Sequence, residues 1–234
     1  MTLQYLIFCV SFIVVANSNV DFMQSMMPPG HIWQDVVSKG LMVKGNITSA
    51  LVRKFEVMSP LVVTVIGGSI SCGHTLQNQQ VERYATQLRD LLNENYHNIK
   101  SVSGSNVNKV NVHCGSGETT ESLVDLLLRN SKNPSHPLIA DILMSDIVIL
   151  DTAVNDIGEV MTGWRDQNHF MKQLELLIVN LLVYPRLNII VAGTGTRKGP
   201  WDGTVAGRHG DSLLFYIPLC KKYAVSVISI VDGL

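Results

Sequence analysis

With 234 residues, 46% of them apolar and only 16% charged, the chain can bury a substantial core and is too apolar for a disordered polymer. Its formal charge of -1 excludes the basic footprint of a nucleic-acid or anionic-membrane binder. The seven histidines show no zinc-finger or metalloprotease spacing, so no metal is expected.

The chain opens on an unbroken apolar stretch, "YLIFCVSFIVVA" (5–16), followed by Asn17, Ser18 and Asn19. It is shorter than the roughly 20 residues of a spanning helix. Ala16 and Ser18 supply small residues at -3 and -1, so residues 1–18 read as a secretory signal peptide cut after Ser18. The segment before the apolar run lacks Lys and Arg, which keeps an uncleaved signal anchor as the competing reading. The expected product is secreted or lumenal, with no stable membrane insertion once the signal is removed. Asn46-Ile47-Thr48 is a glycosylation sequon in a polar stretch. Cleavage removes Cys9 and leaves Cys72, Cys114 and Cys220, an odd count. Cys72 and Cys114 both follow expected strands; a bridge between them competes with three buried thiols.

Residues 19–59, with a weakly amphipathic stretch from Trp33 to about Phe55, read as an N-terminal arm packing on the domain. From residue 60 the pattern is regular. "LVVTVIG" (61–67) is a short β-branched run, the mark of a strand buried on both faces. The helix that follows places Val81, Tyr84, Ala85, Leu88, Leu91 and Leu92 on one face. "VNKVNVHC" is a second strand and "ETTESLVDLLLRN" a helix; "SDIVILD" is a third strand. The next helix aligns Phe170, Leu174, Leu177, Ile178, Leu181 and Leu182. "RLNIIVAG" is a fourth strand, "DSLLFYIPLCKKY" a helix that Pro218 must kink or shorten, and "AVSVISIV" a fifth strand. This alternation predicts an α/β fold: three α/β/α layers around a five-stranded parallel sheet.

In such a sheet, ligands bind beyond the carboxyl ends of the strands. The segments there are "GGSISCG", "GSGETT", "TAVNDIG" and "GTGTRKG". The first holds a serine hydroxyl, Ser69, at a tight turn. The second adds Gly117, whose backbone N–H can face a reacting oxygen. The third adds the Asn155 side-chain amide, with Asp156 placed to hold the loop by accepting backbone hydrogens. One hydroxyl and two N–H donors at three adjacent strand ends make a nucleophile with an oxyanion hole.

These three segments, in this order, resemble the blocks of the SGNH (GDSL-type) hydrolases: serine esterases, lipases and carbohydrate deacetylases on a flavodoxin-like sheet of order 2-1-3-4-5. "IGGSISCG" is similar to the first block, with Ser69 at the nucleophile and Gly68 in place of the usual Asp. "GSGETT" is similar to the second, with Gly117 at the oxyanion glycine, and "AVND" to the third, with Ala153 for Gly and Asn155 at the oxyanion asparagine. The resemblance spans residues 60–234 and implies ester hydrolysis through an acyl-enzyme on Ser69. The implied substrate is a small ester, a lipid or an acylated carbohydrate, and no cofactor is implied.

The family's last block, Asp-x-x-His, follows the fifth strand and supplies the acid and base; "VSVISIVDGL" ends before such a block. The resembling domain is therefore expected to be C-terminally incomplete and weakly active or inactive as this chain. Asp166 and His169 have the spacing but stand after the third strand, where the match is coincidental. His209, His74 and His113 stand near strand ends and read as ordinary loop or surface histidines. Two further readings stay open. A non-catalytic carbohydrate- or ester-binding module would dispense with the base. "AGTGTRKGP" invites a phosphate loop but lacks the Gly-Lys-Ser/Thr of a Walker motif, and "GGSISCG" lacks a dinucleotide fingerprint.

Overall fold

The computed structural model describes residues 41–57, 59–74, 76–78, 80, 83–96, 108–161, 163–193 and 210–229. The expected signal segment, His209 and the glycine-rich turn from 194 onward lie outside the described residues. In chain order the elements are β1 (Leu41–Val43), α1 (Ser49–Glu56), β2 (Val62–Gly67), α2 (Ser69–Cys72), α3 (Tyr84–Tyr96), β3 (Lys109–Cys114), α4 (Thr120–Asn130), α5 (Pro137–Met144), β4 (Ile147–Asp151), α6 (Ala153–Met161), α7 (Gln167–Leu182), β5 (Asn188–Gly193), α8 (Gly210–Lys222) and β6 (Ser226–Ser229).

The five expected strands pair in parallel as β3-β2-β4-β5-β6, the order 2-1-3-4-5. Strand alternation divides their side chains between two helical layers. On one face Val63, Val65, Ile149 and Ala192 pack against Leu51 and Phe55 of α1 and Ala85, Leu88 and Leu92 of α3. On the other, Ile66, Val148, Leu150, Val191 and Val227 pack against α4, α5, α7 and α8. Both faces of the central strands are covered, which is why β2, β4 and β5 carry mostly apolar runs, whereas β3 at the sheet edge alternates apolar and polar residues.

Part of the stretch read as an N-terminal arm is built into these layers. β1 adds a sixth strand, antiparallel to β6, with Leu41 opposite Ile228 and Val43 opposite Val227. α1 begins at Thr48, whose side chain accepts from Leu51 N–H as an N-cap. Of the two outcomes expected at Pro218, shortening does not occur: α8 runs through the proline. Two other expectations change. α7 buries Phe170, Leu174, Leu177, Ile178 and Leu181, whereas Leu182, one residue and about 100° further round, is exposed. "TAVND" is helix from Ala153 onward, so Asn155 sits in the first turn of α6.

Candidate functional site

β2, β3 and β4 end level. Gly67 stands opposite both Cys114 and Asp151 in the parallel ladders, so the segments carrying Ser69, Gly117 and Asn155 leave adjacent strands at one height. Two backbone bonds continue past the strands: Gly115 N–H donates to Gly67 C=O and Gly68 N–H to Asp151 C=O, each at 3.2 Å. The first is a β3–β2 bond, the second a β2–β4 bond. Together they hold the first block between its two neighbours.

The Ser69 turn is a four-residue helix, α2, ended by Gly73 in the left-handed region at φ 74°. Its two serines have different fates. Ser71 is fully buried and donates 2.6 Å to Asp151 Oδ2, which also accepts from Tyr84 OH at 3.1 Å. Burial, then the neighbouring Asp151 charge, pushes the Tyr84 hydroxyl well above its ordinary value, so Tyr84 stays a neutral donor. Ser71 is thereby committed to anchoring α2. Ser69 is half-buried, and among the described residues nothing hydrogen-bonds its Oγ.

A disulfide joins Cys72, the last residue of α2, to Cys114, the last of β3, with Cα atoms 5.5 Å apart. This corrects the reading of three buried thiols; among the described residues only Cys220 is free, and it is buried, its thiol pushed up to about 12 by desolvation. The bridge fastens the Ser69 turn to the strand from which the Gly117 segment departs. Gly117 has φ 72°, a left-handed conformation that a side chain disfavours, and a Cβ there would face open space. Its neighbour Glu118 closes the turn by donating its N–H to Gly115 C=O at 3.3 Å.

The third block meets the other two directly. Asn155 Nδ2 donates 2.7 Å to Glu118 C=O, and the same carboxamide lies against Gly68. Asp156, 1% exposed, points the other way and ties the helices together. It accepts Thr120 N–H at 2.8 Å on Oδ1, and the Thr120 and Tyr216 hydroxyls on Oδ2. Thr152 completes the chain through Thr120 Oγ1 at 2.7 Å. Burial raises the Asp156 carboxyl above its ordinary value, with the hydrogen bonds opposing that shift.

The described histidines stand elsewhere. His113 Nε2 is 2.7 Å from Asp141 Oδ2 on α5, on the opposite sheet face from Cys114. His74 follows α2 and is exposed; its backbone N–H donates to Ser69 C=O at 3.1 Å. Asp166 is the N-cap residue of α7, and His169 Nε2 lies 3.1 Å from Glu121 Oε2, linking α7 to α4. Among the described residues no cluster of His, Cys, Asp or Glu could hold a metal ion, and no helix is long and apolar enough to cross a membrane.

No protein-family model matches the sequence, and no curated protein matches it. Solved structures do. AlinE4, described as an SGNH-hydrolase family esterase, superposes with a TM-score of 0.50 at 17% identity, over 72% of this chain and 75% of that one. The acetyl xylan esterase AlAXEase gives 0.51 at 15% identity, over 74% and 80%. At such identity the shared property is the fold: this chain has the sheet and layers of an SGNH-hydrolase esterase.

Proposed function

We propose that the protein is an SGNH-type serine ester hydrolase acting through an acyl-enzyme on Ser69. One observation carries this reading: Gly68, Glu118 and Asn155 touch, so the first block, the residue after Gly117 and the third block meet at one point of the sheet edge. In the proposed step Ser69 Oγ attacks the ester carbonyl carbon and its proton passes to a base outside the described residues. The carbonyl electrons move onto oxygen, where Gly117 N–H and the Asn155 amide receive the developing charge. The alcohol leaves with the transferred proton, and water then cleaves the acyl-serine by the same route. Small esters, lipids and acylated carbohydrates are the candidate substrates.

The disulfide supports secretion, since such bridges persist in oxidising compartments. Asn46 is exposed, as a glycosylated sequon requires. A second reading, a non-catalytic ester- or carbohydrate-binding module, is favoured by one fact: no imidazole of the described histidines hydrogen-bonds Ser69 Oγ.

The test is hydrolysis of nitrophenyl acetate and butyrate together with fluorophosphonate labelling. The proposal expects this chain to turn over weakly at most, and a full-length form carrying the base to show turnover and labelling that both vanish in Ser69→Ala. Binding of an acetylated sugar that persists in Ser69→Ala, with no turnover in either form, would favour the binding module.

A further inference from the structure

Gly68 stands where the resembled block carries Asp. Its φ of -88° is negative and its backbone extended, outside the left-handed region that favours glycine, so a positive φ is not what calls for glycine here. Space does. A Cβ at this position would overlap Asn155 Nδ2 and stand 3.2 Å from Asn155 Cγ, with Glu118 C=O next at 3.5 Å. The Asn155 carboxamide therefore occupies the volume in which a side chain at 68 would begin. From there one of its N–H groups reaches Glu118 C=O at 2.7 Å, and the amide has a second N–H to offer a developing oxyanion. The colliding atom is the far end of a side chain, so the less costly response to a larger residue is rotation of Asn155 out of its place.

We propose that Gly68 is a positioning residue that acts through Asn155: its missing side chain lets the Asn155 amide cross from α6 to Glu118. The departure from the family block is thus matched to the third block, and Gly68→Asp, which restores the family residue, damages the site. The kinetic consequence rests on the hydrolase reading; the geometry does not.

Nuclear magnetic resonance of the ¹⁵N-labelled full chain tests the geometry. The Asn155 side-chain amide is identified by its absence in Asn155→Ala. Gly68→Ala is expected to shift it strongly while the amides of Asn130 and Asn188 hold their positions; an unshifted Asn155 amide overturns the proposal. Should Gly68→Ala fail to fold, Gly68→Ala/Asn155→Ala removes the collision and is expected to recover a folded protein. A double variant that is also unfolded overturns it.

Kinetics on nitrophenyl acetate supply the second arm. Gly68→Ala and Gly68→Asp should each lower kcat by about 10²-fold with KM little changed, the size of one lost oxyanion donor. Adding Asn155→Ala to either should cost nothing more, since both changes remove one interaction. Raised turnover in Gly68→Asp, or additive losses, would refute the coupling. Turnover that survives Ser69→Ala, while Gly68→Ala still shifts the Asn155 amide, supports the proposal and removes the serine hydrolase reading.

Discussion

At the amino edge of the sheet, polar side chains are used on the backbone of neighbouring elements. Asn188 receives Thr48 N–H and donates to Asp146 C=O, Asp146 receives Val62 N–H and pairs with Lys54, and Asn108 receives Leu61 N–H. At the carboxyl edge, by contrast, Asp151 and Asp156 are buried and accept from side-chain hydroxyls, Asp156 from Thr120 N–H as well. There glycines 67, 68, 115 and 117 leave the chain bare. Carboxylates held by hydroxyls fix geometry more than they stabilise, because burial disfavours the ionised form. The amino edge holds the fold together, and the carboxyl edge holds a shape.

The largest expected effect would sharpen this contrast at the Cys72–Cys114 bridge. The bridge closes a loop across a sequence separation of 42, for which chain-entropy arguments give about 4 kcal/mol. Cys72→Ser/Cys114→Ser should lose stability of that order in urea unfolding. Asn155→Ala comes next: esterase turnover should fall by about 10²-fold, or about 2.7 kcal/mol, with little change in Tm. A Tm collapse would break the division between the edges. Asn188→Ala should do the reverse. It strands Thr48 N–H and leaves Asp146 C=O with only the Asn188 backbone N–H, costs about 2 kcal/mol, and leaves turnover per folded molecule intact.

The smallest effect is a pH dependence. Because the Asp156 carboxyl is raised, the native state binds its proton more tightly than the unfolded chain does. Its contribution is most favourable below the ordinary value of 3.8 and is lost as pH rises through the native value. The stability of the wild type minus that of Asp156→Asn should therefore fall with rising pH over that window and then level off. A difference that increases with pH would show that the hydroxyl donors outweigh burial.

The parallel sheet was legible because β2, β4 and β5 are β-branched runs and β3 and β6 mix such residues with polar ones, and the order of the three blocks could be read from their spacing. β1 was not, since "LMV" is too short to show a period and pairs only across the whole chain. α5, "PLIADILM", is apolar nearly all round and gives no face. The disulfide was undecided because Cys72 and Cys114 follow strands whose adjacency only the fold reveals. Ser69 and Ser71 are nearly equal in sequence, and only the buried Asp151 separates their roles. Gly68 could be read as a departure from a motif, but the Asn155 amide that explains it comes from 87 residues later.

β1 also has a consequence for the order of events in folding. Its ladder joins Leu41 to Ile228, so the first of the described strands to be made must wait for the last of them. β2, α3 and β3 can associate long before then, and their cysteines can be oxidised while β4 is still unmade. The seam at β6 is the most non-local pairing in the sheet and the slowest to find. During synthesis the segment around Leu41 therefore stays a strand without a ladder, the kind of edge on which chaperones act and wrong partners form.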